Sequence, residues 1–510
     1  MSQVRVRFAP SPTGPLHIGG LRTALFNYLF AKKNNGTFIL RIEDTDQTRY
    51  VRGAEDYIVE SLKWCELIPD EGVSFGGNYG PYRQSERKDI YRQYAEQLVV
   101  SGSAYYAFDT PEELEKYRRV SESGKENFTY DVKVRMALKN SLTLNECETK
   151  NLIDKGVPYV IRFKFPENEP IVLQDIIRGE ISVYSSLLDD KILFKSDGMP
   201  TYHLANVVDD HLMKISHVIR GEEWLPSLPL HVAMYRAFGW QETMPQFAHL
   251  PLILKPDGKG KLSKRDGDKG GFPVFPLEWT DPDTCEKSTG YREAGYFPEA
   301  CLNMLAFLGW NPGTEQELFT PEELAVVFEL EKTQKGGAKF DPDKARWYNH
   351  QYLQKKSDEE ITSLFIPLLR EKGIEADPGF VKSVVRLVKE RADFVKDIWE
   401  HGGFFFIAPE EYDPQMVKKR WKENSPGILT ELLPVLENIT PFLPAEIEAT
   451  VKKWMEEKII NPGELMPLLR LSLVGTSKGP AVFDIAAVLG LEEVKKRINK
   501  AISKINGLLS

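Results

Sequence analysis

The chain reads Phe8-Ala-Pro-Ser-Pro-Thr-Gly-Pro-Leu-His17-Ile-Gly-Gly20 near its start, and this stretch decides the fold. Alternating apolar residues before it predict a strand, and the apolar spacing from Leu21 onward predicts a helix with one buried face. Prolines and glycines exclude regular structure between them. A helix that follows a strand in this way offers unpaired backbone N–H groups and a positive dipole end, which favour phosphate binding. An ordinary strand-to-helix turn, with His17 as a surface or capping residue, explains the same pattern.

The composition limits the class of protein. A chain of 510 residues exceeds what one hydrophobic core serves, so about two to four domains are expected. The apolar fraction of 42% and the charged fraction of 28% are typical of a soluble globular protein. The formal net charge of −9 excludes a general attraction to nucleic acid, so any RNA contact must come from local basic faces.

Targeting and cysteine patterns favour a cytoplasmic protein. We find no export signal and no apolar run of about 20 residues, and therefore expect no membrane span. The four cysteines lie far apart without a C-x-x-C pair, which argues against a disulfide framework and a Cys₄ zinc site.

Acidic residues follow the next predicted strand, Thr37 to Ile42. Because ligands bind beyond the carboxyl ends of parallel strands, Glu43 and its neighbours are expected at one sheet edge with Arg7 and His17. A solvated turn with a helix cap is the alternative. A later predicted strand ends at Arg220, which is expected at the same edge.

The chain changes character at about Ser101. Residues 101–200 mix short helical and β-like runs, which predicts a separate α+β insertion, and the parallel-sheet pattern resumes after it. Beyond about residue 290 helical periodicity dominates. Basic segments with aromatic residues recur there, and they fit either solvated helix faces or a surface that follows RNA phosphates.

A lysine-rich loop, Lys261-Leu-Ser-Lys264-Arg265, completes the pattern begun by His17. Two lysines on a glycine-flanked loop can close over a triphosphate and offset charge as the bond to the α-phosphorus changes. A lysine-rich loop by itself is usually only solvated. Together with the strand-to-helix turn, it predicts a nucleotide clamp.

These residues closely resemble the signatures of the class I aminoacyl-tRNA synthetases, and within them the glutamyl-tRNA synthetase family. The matching motifs are Arg7-Phe-Ala-Pro-Ser-Pro-Thr-Gly14, His17-Ile-Gly-Gly20, Leu40-Arg-Ile-Glu-Asp-Thr-Asp46, Tyr202-His-Leu-Ala-Asn206, Arg220-Gly-Glu-Glu-Trp224 and Lys261-Leu-Ser-Lys-Arg265. The resemblance implies an α/β Rossmann-type catalytic domain with an α+β insertion, a linking domain and α-helical anticodon-binding domains. The expected boundaries are 1–100 and 201–255 for the catalytic domain, 101–200 for an acceptor-end-binding insertion, 256–345 for the lysine-loop (KMSKS) and stem-contact domain, and 346–510 for the anticodon-binding region.

The resemblance also implies a reaction and its partners. ATP, as its Mg²⁺ complex, would activate L-glutamate as an adenylate, and the glutamyl group would pass to the terminal 2′-OH of tRNA(Glu). The family is usually monomeric, and activation is expected to require bound tRNA. Glutaminyl-tRNA synthetase, a short paralogue that modifies a tRNA base, and a catalytically dead tRNA-binding paralogue are the rival readings. Charging of tRNA(Gln), the anticodon-reading residues and the oligomeric state stay open.

Roles carry over residue by residue. The catalytic residues would be His17, Lys261 and Lys264. ATP would be bound by Gly14, His17, Gly19, Gly20, Lys261, Ser263 and Lys264. Glutamate would be bound by Arg7, Ser11, Glu43, Tyr202, Asn206, Arg220 and Trp224. A guanidinium suits a substrate carboxylate, although a buried ion pair of Arg220 with Glu222 or Glu223 is the structural alternative.

Two departures from the family stand out. The region that carries a zinc knuckle in many bacterial members reads Ala104-Tyr-Tyr-Ala-Phe-Asp109 here, so we predict no zinc. Roughly twenty residues around Gly270 to Trp279 are inserted after the lysine loop. Whether they restrain or gate that loop is open.

Overall fold

The computed structural model describes residues 3–123 and 128–509. The chain forms two compact units, Met1–Ala345 and Arg346–Ser510. Among the described residues, no helix is long and apolar enough to cross a membrane.

The strands lie in the first unit. They are β1 Arg5–Phe8, β2 Thr37–Leu40, β3 Glu71–Gly72, β4 Ala104–Ala107, β5 Val160–Phe163, β6 Pro170–Asp175, β7 Gly179–Tyr184, β8 Ile192–Phe194, β9 His217–Gly221, β10 Gln246–Leu250, β11 Ile253–Leu254, β12 Trp279–Thr280, β13 Lys287–Ser288 and β14 Ala338–Lys339.

The α-helices occupy most of the remaining chain. They are α1 Ile18–Lys33, α2 Ala54–Trp64, α3 Lys88–Val100, α4 Pro111–Ser123, α5 Glu146–Asp154, α6 Tyr202–Leu212, α7 Leu228–Ala237, α8 Lys264–Gly270, α9 Tyr291–Ala294, α10 Pro298–Phe307, α11 Pro321–Val327, α12 Pro342–Lys355, α13 Asp358–Glu371, α14 Pro378–Val388, α15 Asp397–Phe406, α16 Pro414–Arg420, α17 Ser425–Glu437, α18 Pro444–Lys458, α19 Pro462–Val474, α20 Val482–Leu489 and α21 Leu491–Leu509.

A seven-stranded sheet forms the centre of the first unit, in the order β3-β2-β1-β9-β10-β6-β7. All neighbouring pairs are parallel except β6 with β7. Every residue of β1 is buried, including Arg5 and Arg7, because a central parallel strand is covered on both faces. The alternation predicted before residue 8 therefore does not mark one buried and one exposed face. The carboxyl ends of β1, β2 and β9 meet at one edge, as predicted.

The predicted insertion, residues 101–200, is only partly separate from this sheet. Strands β4, β5 and β8 form their own antiparallel sheet. Hairpin β6–β7 instead joins the main sheet, where Asp175 pairs with Phe247 of β10. The prediction that all of 101–200 stands apart is wrong for this hairpin. Residues of β6 alternate between buried and exposed, which suits a strand of which only one face is covered.

The second unit is α-helical over its described residues, 346–509, and no strand is found there. The predicted fold class, a parallel-sheet catalytic domain followed by helical domains, is confirmed.

Candidate active site

A cavity of about 1130 Å³ opens at the carboxyl edge of β1, β2 and β9. It brings together almost all of the predicted site residues. Those that line it are Arg7, Ser11, Gly14, His17, Gly19, Gly20, Glu43, Tyr202, Asn206, Arg220, Trp224, Lys261 and Lys264. Ser263 is not among them, since its hydroxyl and N–H bond Asp266 and cap the start of α8.

His17 lines the cavity as a neutral hydrogen-bond donor. Its Nδ1 accepts the N–H of Gly19 at 3.1 Å, and its buried Nε2 has no partner among the described residues. Burial and the nearby charge of Lys261 lower the pKa of His17 to about 4. The ring is therefore uncharged at neutral pH. Because Nδ1 is an acceptor, the proton resides on Nε2, which can donate to a ligand.

The backbone N–H groups at the start of α1 are all engaged. Ile18 donates to the carbonyl of Val274 at 2.9 Å, Gly19 to His17 Nδ1, and Gly20 to the carbonyl of His17 at 2.8 Å. The prediction that they are unpaired is wrong, because the distant carbonyl of Val274 accepts the first N–H group and His17 accepts the next two. Gly20 also serves packing, since a Cβ there would lie 2.5 Å from a side-chain carbon of Leu16.

A buried charge network forms one wall of the cavity. Arg7 Nε bonds Asp210 at 3.0 Å, and the same carboxylate accepts Arg41 Nη1 at 2.8 Å. Arg41, fully buried, also bonds Glu43 Oε1 at 2.9 Å, and Asn206 donates to that oxygen at 2.9 Å. These two cations offset these two anions, and Asp209, which also pairs with Arg41, is offset by Arg87. Sequence reasoning missed Arg41 and Asp210, although Arg41 lies inside a quoted motif.

Arg220 differs from Arg7 and Arg41, because no carboxylate of the described residues contacts its guanidinium group. Only 5% exposed, it donates Nε to His249 Nε2 at 3.0 Å and Nη1 to the Tyr202 hydroxyl at 2.8 Å. Its third partner is the carbonyl of Trp224 at 3.4 Å. All three acceptors are neutral groups, so a buried positive charge remains uncompensated.

The alternative of an ion pair between Arg220 and the following glutamates is wrong. Glu222 pairs with Arg178 at 2.5 Å, and Glu223 pairs with Lys261 at 2.7 Å. Arg220 is oriented from behind by His249, whose Nδ1 lies 2.6 Å from Asp175 Oδ2.

The hydrogen bonds that connect Asp175 through His249 to Arg220 depend on hairpin β6–β7, which joins the main sheet. Burial is the main cause that lowers the pKa of His249, so its ring is neutral, with Nδ1 donating to Asp175 and Nε2 accepting from Arg220. Asp175 comes from β6, and no sequence signal connected it with Arg220.

An aromatic pair borders the pocket beside Arg220. The rings of Tyr202 and Trp224 lie 4.4 Å apart, and Trp224 is 40% exposed. This pair offers an apolar wall next to the buried guanidinium.

Both lysines of the predicted clamp sit at the cavity rim in ion pairs. Lys261 Nζ lies 2.7 Å from Glu223, and Lys264 Nζ lies 2.7 Å from Glu286. All four side chains are at least 35% exposed, so these pairs are weak and exchangeable.

The second unit holds two neighbouring arginines, Arg391 and Arg470. No ion pair is found for Arg391 or Arg470 within the described part of the chain, and Arg470 Nη1 is buried without a hydrogen-bond partner. Burial and the charge of Arg391 both lower the pKa of Arg470. Two cations held close together favour an anionic ligand.

Two protein families match the chain. The family described as the catalytic domain of class I tRNA synthetases (E and Q) matches residues 3–347, and an anticodon binding domain matches residues 360–502. The glutamate–tRNA ligase of Phocaeicola vulgatus is 60% identical over 501 residues and covers 98% of both chains. The corresponding ligase of Christiangramia forsetii is 58% identical over 504 residues and covers 99% of each.

A solved structure is similar over the same length. The crystal structure of a glutamate tRNA ligase from Elizabethkingia meningosepticum in complex with its amino acid matches with a TM-score of 0.97 at 53% identity. The match covers 99% of this chain and 100% of that one.

Proposed function

The chain belongs to the glutamate–tRNA ligase family of class I aminoacyl-tRNA synthetases, and we propose that the cavity at the sheet edge is where it joins glutamate to ATP and then to tRNA. The enzyme catalyses ATP-dependent ligation of L-glutamate to tRNA. The observation that carries the assignment of the site is the uncompensated charge of Arg220 beside a balanced network.

Glutamate complements the charges of this pocket. The side-chain carboxylate of glutamate would bind Arg220, because a carboxylate offsets the buried charge and suits the guanidinium fork. Glu43 would take the substrate ammonium through Oε2, since Oε1 already accepts from Arg41 and Asn206. Arg7, with Nε and Nη2 on Asp210, retains Nη1 for a substrate oxygen. Ser11 and the Tyr202–Trp224 pair would complete the pocket.

ATP would bind between His17 and the lysine loop. His17 Nε2–H would donate to a phosphate oxygen, and Lys261 and Lys264 would leave their glutamate partners for the phosphates. No group of three metal-ligating side chains is found in the described ranges, so Mg²⁺ would arrive bound to phosphate oxygens and water. Gly14, Gly19 and Gly20 would let the nucleotide approach the chain closely, and Ser263 would act only by holding the loop.

The first step would form a mixed anhydride. The α-carboxylate oxygen of glutamate attacks the α-phosphorus, the bond from that phosphorus to the bridging oxygen breaks, and pyrophosphate leaves with the electron pair. Lys261 and Lys264 would stabilise the charge that develops on the phosphates. In the second step the terminal 2′-OH of tRNA attacks the activated carbonyl, the bond from that carbonyl carbon to the phosphate oxygen breaks, and AMP leaves with its phosphate taking up the hydroxyl proton. No covalent bond to the enzyme forms.

The remaining assignments follow the same family. We propose residues 101–200 as the acceptor-end-binding insertion, 256–345 as the stem-contact region, and a cytoplasmic monomer. We also propose that no zinc is held, since the segment Ala104 to Asp109 has no cysteine. Metal analysis that found stoichiometric zinc would contradict this proposal.

We propose that Arg470 and Arg391 contact the anticodon arm of the tRNA, as part of the anticodon-binding role of the second unit. Arg470→Ala is expected to raise the KM for tRNA about ten- to hundredfold, because a charge-assisted contact to RNA is lost. The slope of log KM for tRNA against log salt concentration should also fall in magnitude by about one, as expected when one phosphate contact is lost. Steady-state aminoacylation at several salt concentrations measures both.

Arg370→Ala is the matched control for that variant. Arg370 belongs to the same unit, is exposed and already pairs with Glu375, so its loss should leave the KM for tRNA near the wild-type value. Equal KM values for the two variants would refute the role given to Arg470.

Charging of purified tRNA tests the whole function. The protein, with ATP and labelled glutamate, is expected to form glutamyl-tRNA(Glu). Parallel reactions with tRNA(Gln) reveal whether that tRNA is also charged. Absence of any charged tRNA(Glu) from a folded enzyme would contradict the proposal.

A further inference from the structure

Residues 272–288, which we call the strap, contact the start of α1. The Val274 carbonyl accepts the N–H of Ile18 at 2.9 Å. The Phe275 ring meets the His17 ring edge-on, with centroids 6.1 Å apart. The first end of the strap is therefore fixed to the His17 side of the cavity.

The middle of the strap is anchored to α2. The Tyr57 hydroxyl donates to the carbonyl of Leu277 at 2.5 Å and accepts its N–H at 3.0 Å. The Tyr57 ring also packs edge-on against Trp279, with centroids 5.3 Å apart. These contacts bury Leu277 and most of Trp279, so the hairpin β12–β13 starts from a fixed position.

The far end of the strap contacts the other half of the clamp. Glu286, in the turn of the hairpin, places Oε2 at 2.7 Å from Lys264 Nζ. Lys264 is the first residue of α8, whose start is held by reciprocal bonds between Ser263 and Asp266. The strap thus contacts both His17 and Lys264.

The strength of the Lys264–Glu286 pair decides what it can do. The two side chains are 35% and 65% exposed. Exposed ion pairs of this kind stabilise by only about 0–1 kcal/mol. A triphosphate carries several negative charges and therefore competes well for the same ammonium. The pair is therefore too weak to block the site, and it orients the lysine at the rim only until a more highly charged anion binds.

We propose that Glu286 is a positioning residue, which holds Lys264 at the cavity rim until the triphosphate of ATP takes its place. The inference rests on the proposed function, because it assumes that Lys264 binds ATP. When ATP binds, Lys264 exchanges its ion pair with Glu286 for an ion pair with the triphosphate. The Glu286 carboxylate therefore opposes nucleotide binding.

Calorimetric titration of the full chain with ATP tests the proposal without turnover. Glu286→Gln is expected to bind ATP about two- to fivefold more tightly at low salt, since the competing carboxylate is gone. The difference should shrink as salt screens the exposed pair. Glu278→Gln is the matched control, because Glu278 lies on the same hairpin and pairs with Lys287 at 3.3 Å. The control should bind like the wild type.

Combining the variants with Lys264→Ala separates charge competition from a general change in structure. In the Lys264→Ala background, Glu286→Gln should leave the Kd for ATP unchanged. An equal Kd for Glu286→Gln and wild type, or a gain that persists without Lys264, would overturn the inference. Failure of the wild type to bind ATP would instead contradict the proposed function.

Discussion

Arg220→Ala should lose about 10²- to 10⁴-fold in kcat/KM for glutamate while kcat/KM for ATP changes far less. The substrate carboxylate would face a site without its cation, and breaking such a buried pair costs about 3–5 kcal/mol. Arg220→Lys should recover only part of the loss, because an ammonium cannot reproduce the guanidinium fork. Steady-state kinetics with each substrate varied in turn measure the two values.

The control for this prediction is Arg236→Ala. Arg236 is exposed, donates to the carbonyl of Val172 and does not line the cavity, so its loss should leave both values near wild type. Circular dichroism should show a folded Arg220→Ala protein, since no described carboxylate pairs with Arg220 and would be left without its cation. Equal losses in kcat/KM for glutamate and for ATP would contradict the assignment of Arg220 as the residue that binds the glutamate carboxylate.

Lys264→Ala should slow adenylate formation by about 10²- to 10³-fold, the usual effect of removing one group that stabilises developing charge. Lys264 lines the cavity and pairs with Glu286, so the variant loses one charge at the nucleotide site and its affinity for tRNA should stay within about twofold. Pyrophosphate exchange and a tRNA-binding titration report the two effects separately.

Lys269→Ala provides a lysine control from the same helix. Lys269 lies at the other end of α8, is exposed and does not line the cavity. Its variant should exchange pyrophosphate like the wild type. An unchanged exchange rate in Lys264→Ala would refute the role of the lysine.

The residues that meet at the carboxyl edge of the sheet could be predicted from the sequence, because strand ends and turn residues are local signals. Residues such as His17, Glu43 and Arg220 follow or flank predicted strands, and parallel strands bring those ends together. The motif resemblance added the lysine loop, Lys261 to Arg265. The spacing of apolar residues alone does not indicate that this loop lies at the same cavity.

Long-range partners could not be predicted from local patterns. Asp210 on α6 offsets Arg7, and Asp175 on β6 reaches Arg220 through His249. Each contact depends on strand order, which a single sequence does not specify. For the same reason, the capping of α1 by Val274 was missed and its N–H groups were expected to be unpaired.

Pyrophosphate exchange with glutamate and glutamine compared side by side tests the central claim most directly, that the buried charge of Arg220 selects a carboxylate. In the presence of tRNA(Glu), the wild-type enzyme should support exchange with glutamate and almost none with glutamine, since a neutral amide leaves the Arg220 charge uncompensated. Exchange with glutamine at the rate seen with glutamate would contradict this account.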